Sequence, residues 1–305
     1  MDLSLNEDQI AILDAIDTLA KRYAAPPMQD TSFALTSEAL DRELAEGGFF
    51  DIAFEPDLGT VAAALMVERL ARLPYTVEAA ASALIRPLVG ADLSRPLCLV
   101  EQGRTRRPVR FLKPGATVLV LGQTQVLAFT AQAEDVRAED DALYGYPVAT
   151  LAAGVPARAT PLDVSSDELR TRWRVAIAAE GAGLLAAALA SAAAHVTDRE
   201  QFGRAIATFQ AVRHRLAEAQ VRANGAYWLA IKAAKTLDAG DAALAALHVQ
   251  QSAGPAAYDY HQFLGAMGVT LEHPLHLWTY RLKALIGELG GRGAQGVAAA
   301  AAIWG

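Results

Sequence analysis

Cysteine, aromatic residues and positive charge are all scarce in this chain of 305 residues. The single cysteine, Cys98, excludes an internal disulfide framework and any metal site built from several cysteines. Aromatic residues make up 7% of the chain, and the formal charge of -7 argues against a nucleic-acid-binding or membrane-surface protein. No uninterrupted apolar run reaches the roughly 20 residues that a membrane-spanning helix needs. The N-terminal segment MDLSLNEDQ is acidic and polar, so we expect no targeting signal and a cytoplasmic location.

Alanine and leucine dominate the chain, which is 53% hydrophobic. Both are strong intrinsic helix formers, so this composition favours packed helices over sheets. Apolar residues recur at helical intervals in residues 1–95 and again in residues 163–305, whereas residues 96–162 have a different pattern. We therefore predict an α+β, mostly helical fold with an N-terminal helical domain, a reduced middle β-domain and a C-terminal four-helix bundle over these three ranges.

The middle region contains four short segments rich in β-branched residues, PLCLV, PVRFL, ATVLVLG and TQVLAFTA. Turn or charged residues separate most of them, so each is predicted to be a strand. Four arginines lie in the same region: Arg104, Arg106, Arg107 and Arg110. We interpret them as the solvated rim of a hairpin, and a phosphate site is the alternative.

Two motifs lie in the C-terminal region. The first is REQFGRAIATFQAVRHRLAE at residues 199–218, and the second is HQFLGAMGVTLEHPLHLWTYRLKA at residues 261–284. Both resemble signatures of the acyl-CoA dehydrogenases, flavoproteins that place a double bond next to a thioester. The N-terminal segments ELAEGGFFDIAFEPDLG and VERLARLPYTVEAAASALIRPL are also similar to parts of that family. The resemblance therefore covers the helical regions well and the middle region poorly.

The resemblance implies that Arg199 reaches across a subunit interface to the pyrophosphate of FAD bound mainly by a neighbouring subunit. A guanidinium suits this role because its planar fork pairs with two phosphate oxygens and stays charged. Taken alone, Arg199 would more often be a surface arginine, and Phe209 would more often begin a core stripe. The resemblance implies further contacts with the dinucleotide from five residues: Phe202, Phe209, Gln210, Gln262 and Gly265.

Dehydrogenation also requires a base that takes the α-proton while hydride leaves the β-carbon. In the family that the chain resembles, this base is a glutamate at one of two positions, which fall here on Leu289 and near Trp173. Glu288 lies one residue early, and Glu180 lies two helical turns beyond Trp173. We therefore assign no catalytic residue, and Glu288 is a candidate only if its loop shifts by one residue.

The middle region also lacks the Thr-Glu…Gly-Ser-Asp and Trp-x-Thr segments that seat the flavin ring in the family. The chain therefore resembles the short subunit of heteromeric acyl-CoA dehydrogenases, which form α2β2 tetramers and often act on CoA thioesters of steroid side chains. The resemblance implies a full-length partner subunit, an acyl-CoA substrate and an electron-transfer acceptor. Two alternatives remain, a homomeric dehydrogenase with Glu288 as base and a flavin-free assembly subunit. We expect no metal site, since His273 and His276 lack a ligand set.

Overall fold

The computed structural model describes residues 2–26, 32–139 and 145–305. Long helices occupy both ends of the chain, and short strands occupy the middle. Among the described residues the α-helices are α1 (Glu7–Lys21), α2 (Glu38–Glu46), α3 (Gly59–Ala71), α4 (Ala80–Leu84), α5 (Arg86–Val89), α6 (Ser166–Asp198), α7 (Gln210–Thr236), α8 (Ala239–Leu264), α9 (His276–Leu285) and α10 (Gly291–Trp304). The strands are β1 (Leu35–Thr36), β2 (Tyr75–Thr76), β3 (Leu97–Glu101), β4 (Val109–Arg110), β5 (Thr117–Leu121), β6 (Val126–Thr130), β7 (Val136–Ala138), β8 (Val148–Leu151), β9 (Thr160–Leu162), β10 (Glu200–Gln201) and β11 (Arg204–Ala205).

Two small sheets form the middle of the molecule. In the first, the strand order is β3-β5-β6-β9, with β3 parallel to β5 and the other pairs antiparallel. In the second, β8 lies between β4 and β7, and both pairs are antiparallel. The buried side chains between the sheets include Cys98, Val118 and Phe129. The four strands predicted from the sequence correspond to β3, β4, β5 and β6, whereas β7, β8 and β9 were not predicted.

Helix α6 is the central element of the fold. It begins at a reciprocal cap, in which the Ser165 hydroxyl accepts a hydrogen bond from the Glu168 amide (3.1 Å) and the Glu168 carboxylate accepts one from the Ser165 amide (3.3 Å). By length and composition α6 could cross a membrane, but 78% of its most apolar window is buried in this fold. Its side chains contribute to both helical cores, for example Leu185 to one and Val175 to the other. We therefore describe α6 as a core helix.

Two glycines allow the neighbouring helices to approach α6 closely. A Cβ atom at Gly183 would lie 2.1 Å from the carbonyl oxygen of Glu68 in α3, and one at Gly181 would lie 2.2 Å from Val249 in α8. Both distances are far below van der Waals contact, so α3 and α8 pack against α6 at these points only because the side chains are absent. Helices α7 and α10 complete the bundle around α8.

The fold is thus α+β and mostly helical, as the sequence predicted. The division into three domains stays a prediction, because α6 joins the core of the N-terminal helices to the core of the C-terminal bundle.

Candidate functional site

The first motif folds into a tight hairpin between α6 and α7. Strands β10 and β11 are antiparallel, and the two residues between them, Phe202 and Gly203, have φ angles of 56° and 76°. A two-residue turn with both φ angles positive matches the twist of the strands, but such turns favour Asn-Gly and not a phenylalanine. Phe202 is also 91% exposed. An exposed aromatic residue held in a strained backbone conformation indicates that Phe202 contacts another molecule.

Arg199 lies at the C-terminal cap of α6, at the base of this hairpin. Its amide donates to His195 and its carbonyl accepts from Ile206, both at 2.9 Å, so the backbone is fixed. Its side chain is exposed, and within the described residues no ion pair involves its guanidinium. Phe209, half-buried, packs edge-on to Phe202 at 6.1 Å, and Gln210 is exposed in the first turn of α7. We call residues 199–210 the hairpin surface.

The second motif covers the end of α8 and the turn after it. Gln262 is exposed, and Gly265 caps the helix with a φ of 58° and a ψ of -130°, a conformation that favours glycine. Gly268 is buried, and a Cβ there would lie 2.4 Å from the His261 carbonyl oxygen. The His261 ring holds this turn by hydrogen bonds to Gly268 and, at 2.8 Å, to Thr279. Gly268 is therefore needed for close packing of the turn.

Both motifs lie at the same end of the bundle. Helices α7 and α8 are consecutive and antiparallel, so the beginning of α7 is next to the end of α8. Arg215 and Asp259 form an ion pair between them at 3.0 Å. The end of α6 lies at this end too, since the His195 and His273 rings are 5.6 Å apart. The fold thus brings the predicted FAD contacts to one surface, and their role toward FAD stays a prediction.

The candidate base Glu288 lies in a different place, inside the chain. Arg110 of β4 binds two carboxylates, with Nε 2.7 Å from Glu288 and Nη1 2.8 Å from Glu180. The Tyr146 hydroxyl donates to the other oxygen of Glu180 at 2.8 Å, and the Trp173 indole donates to the other oxygen of Glu288 at 2.7 Å. We call these five residues the Arg110 cluster.

Three groups of the Arg110 cluster, Glu288, Arg110 and Tyr146, have shifted pKa values. Burial raises the pKa of Glu288, and the opposing effects of the Arg110 charge and of the hydrogen bond from Trp173 are smaller. Burial lowers the pKa of Arg110, but the two carboxylates outweigh it and hold the pKa well above its ordinary value. Burial also raises the pKa of Tyr146, followed in size by the charge of Glu180. A charged side chain buried in this cluster is therefore stabilised only by its ion-pair and hydrogen-bond partners.

A cavity of about 240 Å³ adjoins the Arg110 cluster. Its walls come from β3, α6, α9 and the segment after α9, and they include Leu97, Ala176, Lys283 and Glu288. Ligand pockets for drug-sized molecules usually enclose about 300–1,000 Å³. The space left beside the cluster is therefore smaller than a typical cofactor or acyl site.

The predicted solvated rim is wrong for Arg110, and the position of Glu180 differs from the one expected from helix geometry. Arg110 is not part of a solvated rim, because its side chain is only 19% exposed and binds two buried glutamates. Arg106 and Arg107 are exposed, as predicted. Glu180, which the helix geometry placed too far from the family position, shares one guanidinium with Glu288. A glutamate inside the apolar run of α6 was the signal, since a buried carboxylate requires a cationic partner.

Residues 168–296 match the family model described as the acyl-CoA dehydrogenase C-terminal domain. The chain is also similar to acyl-CoA dehydrogenase FadE34 of Mycobacterium tuberculosis, with 34% identity over 192 residues. The match covers 59% of this chain and 26% of FadE34, so the chain spans about a quarter of that relative.

Two solved structures share the fold over nearly the whole chain. The first is a variant named as the Tcur3481-Tcur3483 steroid ACAD, with a TM-score of 0.78, 21% identity and 98% coverage of both chains. The second is the ChsE4-ChsE5 complex of Mycobacterium tuberculosis, with a TM-score of 0.76, 19% identity and coverage of 97% of this chain and 96% of the other. The family match over residues 168–296 and the shared fold agree with the two motifs, and this C-terminal part of the chain is similar to the acyl-CoA dehydrogenase C-terminal domain.

Proposed function

We propose that the chain is a subunit of an FAD-dependent acyl-CoA dehydrogenase and completes the FAD site of a catalytic partner subunit. The observation that carries this proposal is the contrast between the two sites. The hairpin surface presents an exposed guanidinium and an exposed, strained aromatic ring, whereas the carboxylates in the chain's own cavity are bound to Arg110.

The hairpin surface fits the phosphate and adenosine part of FAD. Arg199 would supply a positive charge for the pyrophosphate, and Phe202 would supply an aromatic ring that is 91% exposed. Gln210 and Gln262 add exposed amides at the same end of the bundle. Gly265 leaves the backbone accessible, because a Cβ there would meet no atom within 4 Å.

The cavity beside the Arg110 cluster does not fit the flavin ring in the same way. The cavity beside the Arg110 cluster has about 240 Å³, and the cluster occupies its inner wall. We therefore assign the ring and the base to the partner. Bound FAD would supply the hydride acceptor for α,β-dehydrogenation of an acyl-CoA thioester, and an electron-transfer acceptor would reoxidise the enzyme.

The names of the two solved structures, one a complex of two chains and the other a steroid ACAD named for two chains, support a proposal for the assembly and the substrate. By analogy we propose an α2β2 heterotetramer in the cytoplasm. Its substrate class would be a CoA thioester, including those of steroid side chains.

Co-expression with a full-length partner distinguishes the heteromeric subunit from the homomeric enzyme and from the flavin-free assembly subunit. The purified chain alone should carry little flavin, and the complex with a full-length partner should show the full flavin absorbance. A yellow chain that reduces a dye with acyl-CoA in the absence of a partner would establish the homomeric enzyme. A complex that is colourless although both subunits are present would establish the assembly subunit and reject FAD binding.

Arg199→Ala tests the phosphate contact directly. Because the side chain is exposed, the variant should melt like the wild type and still assemble, but its complex should lose FAD at a smaller dilution than the wild-type complex. Arg213→Ala is the matched control, since Arg213 is also exposed near the start of α7 and lies outside the proposed contacts. Equal FAD retention by the wild type and Arg199→Ala would remove Arg199 from the site.

One observation favours the homomeric enzyme as a second candidate. Glu288 lines the cavity and its pKa is raised, which is typical of a catalytic base. In that case Glu288→Gln should lower turnover at least about 100-fold. In the heteromeric enzyme the same substitution should leave turnover of the complex and its pH profile unchanged.

A further inference from the structure

A shallow hollow of about 440 Å³ lies next to Arg199, at the C-terminal end of α6. Residues four positions apart lie on the same face of a helix, so Ser191 and His195 form a stripe that leads to Arg199. His273, in the turn before α9, forms another wall. The volume lies within the range of small-molecule sites, about 300–1,000 Å³. The hollow therefore extends the hairpin surface along α6.

The two histidines of the hollow have hydrogen-bonding capacity to spare. The centroids of the His195 and His273 rings are 5.6 Å apart, and the rings are nearly perpendicular to each other. The Leu275 amide donates to Nδ1 of His273 at 3.2 Å, so the neutral His273 ring carries its proton on Nε2. In the described ranges of the chain, neither Nε2 of His273 nor the His195 ring has a hydrogen-bond partner. Both rings are thus able to donate to a bound molecule.

Charged and titratable groups surround the two rings from two elements. Burial lowers the pKa of His195 below 6.5, the nearby Arg199 charge lowers it further, and Asp198 opposes both effects. Burial also lowers the pKa of His273, followed in size by the charge of His195. Both rings are therefore mostly neutral near neutral pH in the chain alone, and the exposed Asp198 is screened by water. The groups on the α6 side are Asp198 and Arg199, and those on the segment after α8 are His261, His273 and His276.

We propose that His195 and His273 bind the pyrophosphate of FAD together with Arg199, and that protonation of His195 strengthens this contact. This assignment rests on the proposed function, because the FAD is held mainly by a partner subunit. His273 donates through Nε2 in either charge state. His195 contributes more when it is charged, because hydrogen bonds from a charged donor to phosphate are roughly twice as strong as neutral ones.

FAD binding is therefore expected to depend on pH. A phosphate next to His195 favours the protonated ring and raises its pKa in the bound state. The contribution of His195 is then complete below the pKa of the free chain, and it is lost as the pH rises through the pKa of the bound state. The two phosphates of FAD are esterified and keep the same charge in this range, so they add no pH dependence of their own.

The test uses the complex of the chain with its full-length partner, and FAD affinity is measured by equilibrium dialysis at several pH values. The dissociation constant of the wild-type complex should fall about fivefold from about pH 8 to about pH 6. His195→Asn should abolish this dependence and leave the value at the higher pH unchanged. His214→Asn is the matched control, because His214 is exposed on α7 outside the hollow, and it should behave like the wild type.

His273→Asn tests the neutral donor. The asparagine oxygen takes the place of Nδ1 and still accepts from the Leu275 amide, whereas the Nε2 donor is lost. We expect FAD to bind about fivefold more weakly at every pH, with the wild-type dependence on pH retained. An unchanged dissociation constant would remove His273 from the site.

Calorimetry in buffers of different ionisation enthalpy supplies a readout that does not depend on any variant folding. FAD binding near neutral pH should take up protons in the wild-type complex, and none in His195→Asn. The role of His195 would be overturned by a wild-type affinity that is the same across the pH range, by the absence of proton uptake, or by a pH dependence that persists in His195→Asn. A complex that binds no FAD at any pH would instead reject the proposed function, and with it this contact.

Discussion

Replacing Gly183 by alanine tests how α3 and α6 are held together. The new Cβ would lie 2.1 Å from the Glu68 carbonyl oxygen and 2.8 Å from the Ala71 Cβ. The nearer of these atoms belongs to the backbone, so no side-chain rotation relieves the overlap, and the helices must separate by roughly 1 Å. Overpacking of this kind costs about 1–3 kcal/mol, and alanine returns up to about 1 kcal/mol through its higher helix propensity.

With the full gain from helix propensity, we expect Gly183→Ala to lower the free energy of unfolding by up to about 2 kcal/mol, seen as a lower melting temperature by circular dichroism. Gly296→Ala is the matched control in α10, where a Cβ would meet no atom within 4 Å. That variant should gain about 0.5–1 kcal/mol from helix propensity alone. If both variants were stabilised equally, the close approach of α3 to α6 would not be the rigid contact described here.

Two further predictions concern buried carboxyl groups. Burial raises the pKa of Glu78 above its ordinary value of 4.5, so this group adds stability below about pH 4.5 that is lost as the pH rises through its folded pKa. Glu78→Gln should accordingly flatten the dependence of the melting temperature on pH above 4.5, and an unchanged profile would contradict the assignment. Trp173→Phe removes the donor to Glu288 at 2.7 Å and should lower the free energy of unfolding by about 1–3 kcal/mol. Trp228→Phe, at a residue 54% exposed, should leave chemical denaturation followed by circular dichroism unchanged.

Much of the fold could be predicted from local patterns. The alanine-rich periodic segments became the helices, and the β-branched segments became β3 to β6. Strands β7 and β9 were missed because each has three residues and half-exposed or exposed side chains, so neither has a hydrophobic alternation to detect. The hairpin surface was found because its residues are contiguous in sequence.

The Arg110 cluster could not be predicted in the same way. Its members lie at positions 110, 146, 173, 180 and 288, and only the folded chain brings them together. Each residue alone has an ordinary interpretation, and spacing along the sequence carries no information about an ion pair between a strand, a helix and a loop. The one local signal is Glu180 within an apolar helix, which indicates that a cationic side chain pairs with it but does not identify that side chain.

Helix α6 carries Glu180 near its middle and ends where Arg199 begins the hairpin. The two residues are 19 positions apart, which corresponds to about 28 Å along the helix at a rise of about 1.5 Å per residue. Because one continuous helix joins the two, we expect a shift of α6 at Glu180 to move Arg199 and the hairpin surface with it. A substitution in the Arg110 cluster would then change what binds at the hairpin surface without altering any residue of that surface.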